Sequence, residues 1–85
     1  MKVYMLIIRE YEGDAAKSIS FDLKQLVDYY KSTSFYPPDG DSEILEFEVE
    51  LGDMIMRDND GDYVIKKADG SIVDGKWIDV RKMEE

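Results

Sequence analysis

Hydrophobic and polar residues alternate most regularly over Glu43–Leu51, EILEFEVEL. In an extended chain Leu45, Phe47, Val49 and Leu51 fall on one face, and Glu46, Glu48 and Glu50 on the other. The stretch predicts a strand with one face on a core and a row of carboxylates on the opposite face. Val3–Ile8 follows another pattern, apolar without interruption. Such a run predicts a central strand, Lys2–Tyr11, covered on both faces. Glu12-Gly13-Asp14 reads as a turn. Ala15, Lys17, Ile19 and Phe21 alternate in phase and predict a short second strand.

The pattern changes to a helical period at Leu23, Leu26, Val27 and Tyr30, spaced i, i+3, i+4, i+7. A helix is predicted over Leu23–Lys31. Asp22 is its N-cap, Gln25 stands where a capping box needs it, and Phe21 and Leu26 are placed for a hydrophobic staple. A helix of about three turns is not stable alone and must dock on the sheet. Ser32–Ser42 reads as a loop. Pro37 and Pro38 exclude regular structure there, Asp39-Gly40 is turn chemistry, and Phe35 and Tyr36 are placed to close an edge of the core.

Short apolar runs follow at Met54–Arg57, Tyr63–Lys67, Ile72-Val73 and Lys76–Lys82. Asp60-Gly61, Asp69-Gly70 and Asp74-Gly75 separate the last of them, which is hairpin grammar. The expected fold is α+β: one domain over residues 1–85, with a mostly antiparallel sheet of about five strands and one short helix packed on one face. Met54 and Met56 share one face of their strand and Ile55 takes the other; core packing is the expected role of both methionines.

Charge changes this picture. The net charge is −9. Between Asp39 and Asp62 stand ten acids and one base, Arg57, so this segment carries −9. The rest has ten of each and sums to zero. Direct contact with nucleic acid or anionic lipid is disfavoured, because phosphate needs Lys and Arg. A basic protein surface is the expected partner. No run is long enough to span a bilayer or to form a signal-peptide core, so no membrane association and a cytoplasmic location are expected.

Candidate chemistry is sparse. There is no Cys and no His, which removes thiolate metal sites, disulfides and the commonest general base. No phosphate loop, dinucleotide fingerprint or nucleophile–base pair is signalled. A non-catalytic protein without cofactor or metal is expected. Asp58-Asn59-Asp60-Gly61-Asp62 is oxygen-rich, but its Gly comes too early for a calcium loop and strands flank it, which favours a hairpin turn.

The candidate partner-binding residues are therefore Glu43, Glu46, Glu48, Glu50, Asp53, Asp58, Asp60 and Asp62, with Tyr29, beside the helix's apolar face, and Tyr36, in the loop, as the candidate aromatics; the favoured account of these two is that they wrap the edge of the core. Alternate glutamates on a strand stand about 6.8 Å apart, close to the spacing of phosphates along a nucleic-acid strand. The other account of the row is a solvated sheet face. Three functional classes are carried: an acidic binding protein, a structural or assembly module associating through strand edges or aromatic patches, and, least favoured by the missing His and Cys, a small enzyme.

Lys2-Val3-Tyr4, Ile19-Ser20-Phe21, the Leu23–Lys31 helix and Glu46-Phe47-Glu48 resemble the first half of small uncharacterised bacterial and phage β-β-α-β proteins. That resemblance covers about half the chain and implies no activity. In size and charge the chain also resembles small acidic phage inhibitors of the anti-CRISPR or anti-restriction type. This second resemblance implies inhibition of a nucleic-acid-binding enzyme by imitation of its substrate.

Overall fold

The structure is a computed structural model and describes residues 1–10, 13–33 and 42–79. Its elements run β1 (Lys2–Glu10), β2 (Gly13–Ser20), α1 (Leu23–Lys31), β3 (Ser42–Glu48), β4 (Met54–Arg57), β5 (Tyr63–Lys66), β6 (Ile72–Asp74) and β7 (Lys76–Ile78). The α+β class, the antiparallel pairing and the helix on one face are as expected. The strands number seven and divide into two sheets, a four-stranded β2-β1-β3-β7 and a three-stranded β4-β5-β6.

β1 sits inside the larger sheet, paired antiparallel with β2 on one side and β3 on the other. Its two apolar faces have different covers. Leu6 and Ile44 meet Leu26, Val27 and Tyr30 of α1, with Tyr4, Leu23 and Ile78 at the margin. Val3, Met5, Ile7, Leu45 and Phe47 meet Ile65 of the smaller sheet, with Ile55, Tyr63, Val49 and Ala16 around them. The helix lies on one side of the large sheet and the small sheet on the other.

The helix has the predicted bounds. The Asp22 carboxylate accepts the N–H groups of Lys24 (3.0 Å) and Gln25 (3.4 Å). The capping box closes through an intermediary: Asp22 N–H donates to the Ser20 hydroxyl (3.0 Å), which donates to Gln25 Oε1 (2.7 Å). Phe21 is exposed, so the expected staple does not bury it. At the other end the Ser32 and Thr33 hydroxyls donate to the carbonyls of Tyr29 (2.6 Å) and Tyr30 (2.7 Å), occupying acceptors that a helix end leaves open.

β2 does not keep its predicted phase. Ser18 faces Leu6 and Ala16 faces Ile7, so Lys17 is the extra residue of a β-bulge. Ala16 packs on the core, and Ile19 is exposed. The Ala16 N–H, turned out of the ladder, donates to the Tyr63 hydroxyl (3.2 Å) of the other sheet. Arg57 lies over the same ring, 5.0 Å from its centroid.

Two of the three Asp-Gly pairs make hairpins. Both are three-residue loops closed the same way: Asp58 N–H to Asp62 O (2.8 Å) and Gly61 N–H to Asp58 O (3.1 Å), then Lys67 N–H to Ser71 O (2.8 Å) and Gly70 N–H to Lys67 O (2.9 Å). Gly61 and Gly70 have φ of 87° and 91°. Asp74-Gly75 is no hairpin, because β7 leaves β6 to pair with β3. Gly75 is needed for space: a Cβ there would stand 2.7 Å from Phe47 Cε1 and 2.8 Å from Leu45 Cγ. The core expectation also needs correction for Met54, while Met56 is half-buried. β4 is an edge strand and Met54 is 53% exposed. The loop with Phe35, Tyr36, Pro37 and Pro38 lies outside the described residues.

Two substitutions test this packing. Gly75→Ala forces Phe47 or Leu45 off its place and is expected to cost about 1–3 kcal/mol in urea unfolding. Tyr63→Phe removes the partner of the bulge N–H and is expected to cost about 1 kcal/mol, read in the same experiment.

Candidate functional site

The predicted row Glu46, Glu48, Glu50 does not form one evenly spaced face. Glu46 lies on the helix side of the large sheet, between Tyr4 of β1 and Lys76 of β7. Its side chain is only 17% exposed and pairs with Lys2 (3.4 Å). Glu48 accepts from the Met1 amino group (2.7 Å), which also donates to Val49 O (3.0 Å). That bond holds the Glu48 carboxyl below its ordinary range, with smaller help from Lys2 and Lys67. The strand ends at Glu48, so Glu50 belongs to a turn. A strand-borne imitation of a phosphate backbone therefore loses its geometric basis.

Leu51 corrects the pattern from the apolar side. The alternation puts it on the core face, whereas it is fully exposed at the tip of the turn Glu50-Leu51-Gly52-Asp53. The Asp53 N–H donates to Glu50 O (3.0 Å), and Gly52 takes φ 98°. A glycine two residues into a turn, next to a strand that looks continuous, is the signal that places this break.

Asp53 is not available to a partner. Its side chain is 5% exposed and accepts from Lys67 Nζ (2.7 Å) and Glu50 N–H (2.8 Å). Lys67 Nζ also reaches Glu48 O (3.4 Å). One ammonium thus ties the β3–β4 turn to the β5–β6 turn, a role for Lys67 that its sequence position does not announce. Lys67 holds Asp53 below the ordinary carboxylate range, and Asp53 in turn raises Lys67.

Asp58, Asp60 and Asp62 share the β4–β5 turn. Asp58 Oδ1 accepts the N–H groups of Asp60 (2.9 Å) and Asp62 (3.0 Å), so it organises the turn from within. Asp60 and Asp62 are exposed. Among the described residues no ion pair engages Glu50, Asp60 or Asp62, and no cluster of three His, Cys, Asp or Glu is placed to hold a metal.

The acidic segment, continuous in sequence, is divided in space. β4 and β5 pair antiparallel. Glu48, Glu50, Asp53 and Asp69 therefore gather at one end of the small sheet, and Asp58, Asp60, Asp62 and Asp74 at the other. Four residues of β4 hold these ends about 13 Å apart. Asp69 is held below its ordinary range by the Ser71 hydroxyl and N–H.

Of the other candidates, Glu43 pairs through its backbone with Ile7, and its side chain lies outside the described set. Tyr36 also lies outside it. Tyr29 is 48% exposed, while its neighbour Tyr30 is core. Tyr29 lines a cleft of about 170 Å³ with Ser18, Ser20, Gln25 and Leu26, smaller than the roughly 300 Å³ at which small-molecule pockets begin. It is remote in the fold from the carboxylate turns, since α1 and the small sheet cover opposite faces. Among the described residues no helix is long and apolar enough to cross a membrane. Comparison with protein-family models, curated proteins and solved structures finds no match.

The Asp53–Lys67 pair has a pH signature. A depressed carboxyl contributes stability above its unfolded pKa of about 3.9 and loses it as pH falls through the folded value. A raised ammonium contributes below its ordinary 10.5 and loses that as pH rises through its folded value. Asp53→Asn is expected to lower the thermal midpoint at pH 7. The gap from the wild type should close as pH falls well below 4; a gap unchanged at pH 2.5 would contradict the pairing.

Proposed function

We propose that this protein is a non-catalytic acidic binding protein that presents the carboxylates of its two turn-bearing ends to a basic protein surface. The observation that carries the proposal is the exposed carboxylate charge at the turns. Glu50, Asp60 and Asp62 are exposed and, among the described residues, carry no ion pair, whereas Glu46, Glu48 and Asp53 each have one within the fold. The chain's whole net charge of −9 falls in the segment that contains them. Such a surface attracts Lys- and Arg-rich proteins over long range and repels polyanions.

A nucleic-acid-binding enzyme, held in an inhibited state, is the partner class that this charge suits best. The two carboxylate ends would meet separate basic clusters on it, rather than one groove that follows a regular phosphate row.

The test is capture from an extract of the source cell on immobilised protein, with the triple variant Glu50→Lys, Asp60→Lys, Asp62→Lys in parallel. The wild type is expected to retain proteins that leave as salt rises from 0.05 to about 0.5 M, where the screening length drops below roughly 5 Å. Duplex DNA should compete for them. The triple variant is expected to retain at least about tenfold less, because several steering charges are inverted. Equal retention by a folded triple variant would overturn the proposal.

A further inference from the structure

With eight residues, β2 is the longest edge strand among the described residues; the other edges, β4, β6 and β7, have three or four. A long edge is a template on which a second chain can add a strand. The bonding of β1 shows which groups of β2 lie on that edge. The Met1 amino group donates to Val49 O (3.0 Å), and Val49 N–H donates to Met1 O (2.8 Å). By the alternation of an antiparallel ladder, Met5 and Ile7 also turn their backbone groups towards β3, and Tyr4 and Leu6 turn theirs towards β2. Ser20 and Ser18, opposite Tyr4 and Leu6, therefore bond back to β1. Ile19 and Ala16, opposite Met5 and Ile7, point their backbone groups off the edge of the sheet.

Two features interrupt that row of outward groups. Lys17, the extra residue of the bulge, puts three residue steps between Ile19 and Ala16 where a regular strand has two. An evenly spaced strand that meets Ile19 therefore misses Ala16. The Ala16 N–H is also taken, because the Tyr63 hydroxyl reaches it from the small sheet at 3.2 Å. Arg57 lies 5.0 Å over the Tyr63 ring and holds it from the other side. We infer that Lys17 and Tyr63 together guard this edge against strand addition by a second copy of the chain. Between Ala16 and the end of the strand they leave only the backbone groups of Ile19, one rung, which is too little for a strand pair. Ile19 itself is 54% exposed, so an unguarded β2 would offer an apolar edge.

The guard can be removed without moving the frame. Ser18 faces Leu6 and Ala16 faces Ile7, so deleting Lys17 keeps every pairing with β1 and makes the ladder regular. Tyr63→Phe frees the Ala16 N–H. Sedimentation velocity is measured over a concentration series in about 0.5 M salt, which screens the repulsion between copies of charge −9. The wild type is expected to sediment alike at every concentration. The variant with both changes is expected to sediment faster as concentration rises, to return on dilution, and to gain amide-exchange protection at Ala16 and Ile19. A folded double variant that sediments like the wild type overturns the inference, and so does new protection confined to strands other than β2. Gly75→Ala weakens the core and leaves this edge intact, so it should sediment like the wild type. If it associates as the double variant does, lost stability rather than an opened edge is the cause, and the guard is overturned. Should the double variant not fold, Tyr63→Phe alone is held to the same outcomes.

Discussion

Strand β1 is apolar on both faces, and that one property demands the rest of the architecture. A sheet with one wet face needs a single cover; Val3, Met5 and Ile7 on one side and Leu6 on the other need two. The chain has room for two thin covers only. A nine-residue helix shields Leu6 and Ile44, and a sheet of three short strands shields the other face. A helix this short is not stable alone, and the small sheet has strands of only three or four residues. Each is held by burial against β1 and β3, so the two cores form around the same pair of strands.

This dependence explains which parts of the fold are legible in the sequence. The uninterrupted run Val3–Ile8 announces a doubly covered strand, and the i, i+3, i+4, i+7 spacing gives the helix to the residue. The split into two sheets is not legible, because the periodicity of a strand says which face is buried and not against what. Asp74-Gly75 shows the same limit. As a dipeptide it matches the two hairpin turns before it, yet its glycine answers to the Phe47 ring rather than to a backbone torsion. The bulge at Lys17 arises from pairing with β1 and leaves no local mark.

The candidate site was legible as charge and illegible as geometry. The acids stand in one segment of the chain, but pattern alone does not separate those that pair within the fold from those that face outward. Glu46 is taken up by Lys2 and Asp53 by Lys67, partners distant in sequence. Leu51 departs from the pattern for a related reason: alternation extends through it, although the strand ends at Glu48 and a turn around Leu51-Gly52 follows. Glu50, Asp60 and Asp62, which carry no ion pair among the described residues, all stand at turns, although a turn does not by itself leave an acid unpaired, as Asp53 shows.

β3 and β7 are antiparallel neighbours, and everything from residue 49 to 75 departs from one and returns to the other. The small sheet is thus an excursion inside what would otherwise be a plain hairpin. Its entry and exit are fixed by the rungs Ile44–Ile78, Leu45–Trp77 and Glu46–Lys76. Loop-closure cost grows only slowly with length, so residues can be gained or lost at the tips of this excursion without shifting the register of the frame. The outward-facing turns can therefore diverge quickly in sequence while the strands that carry them stay in place.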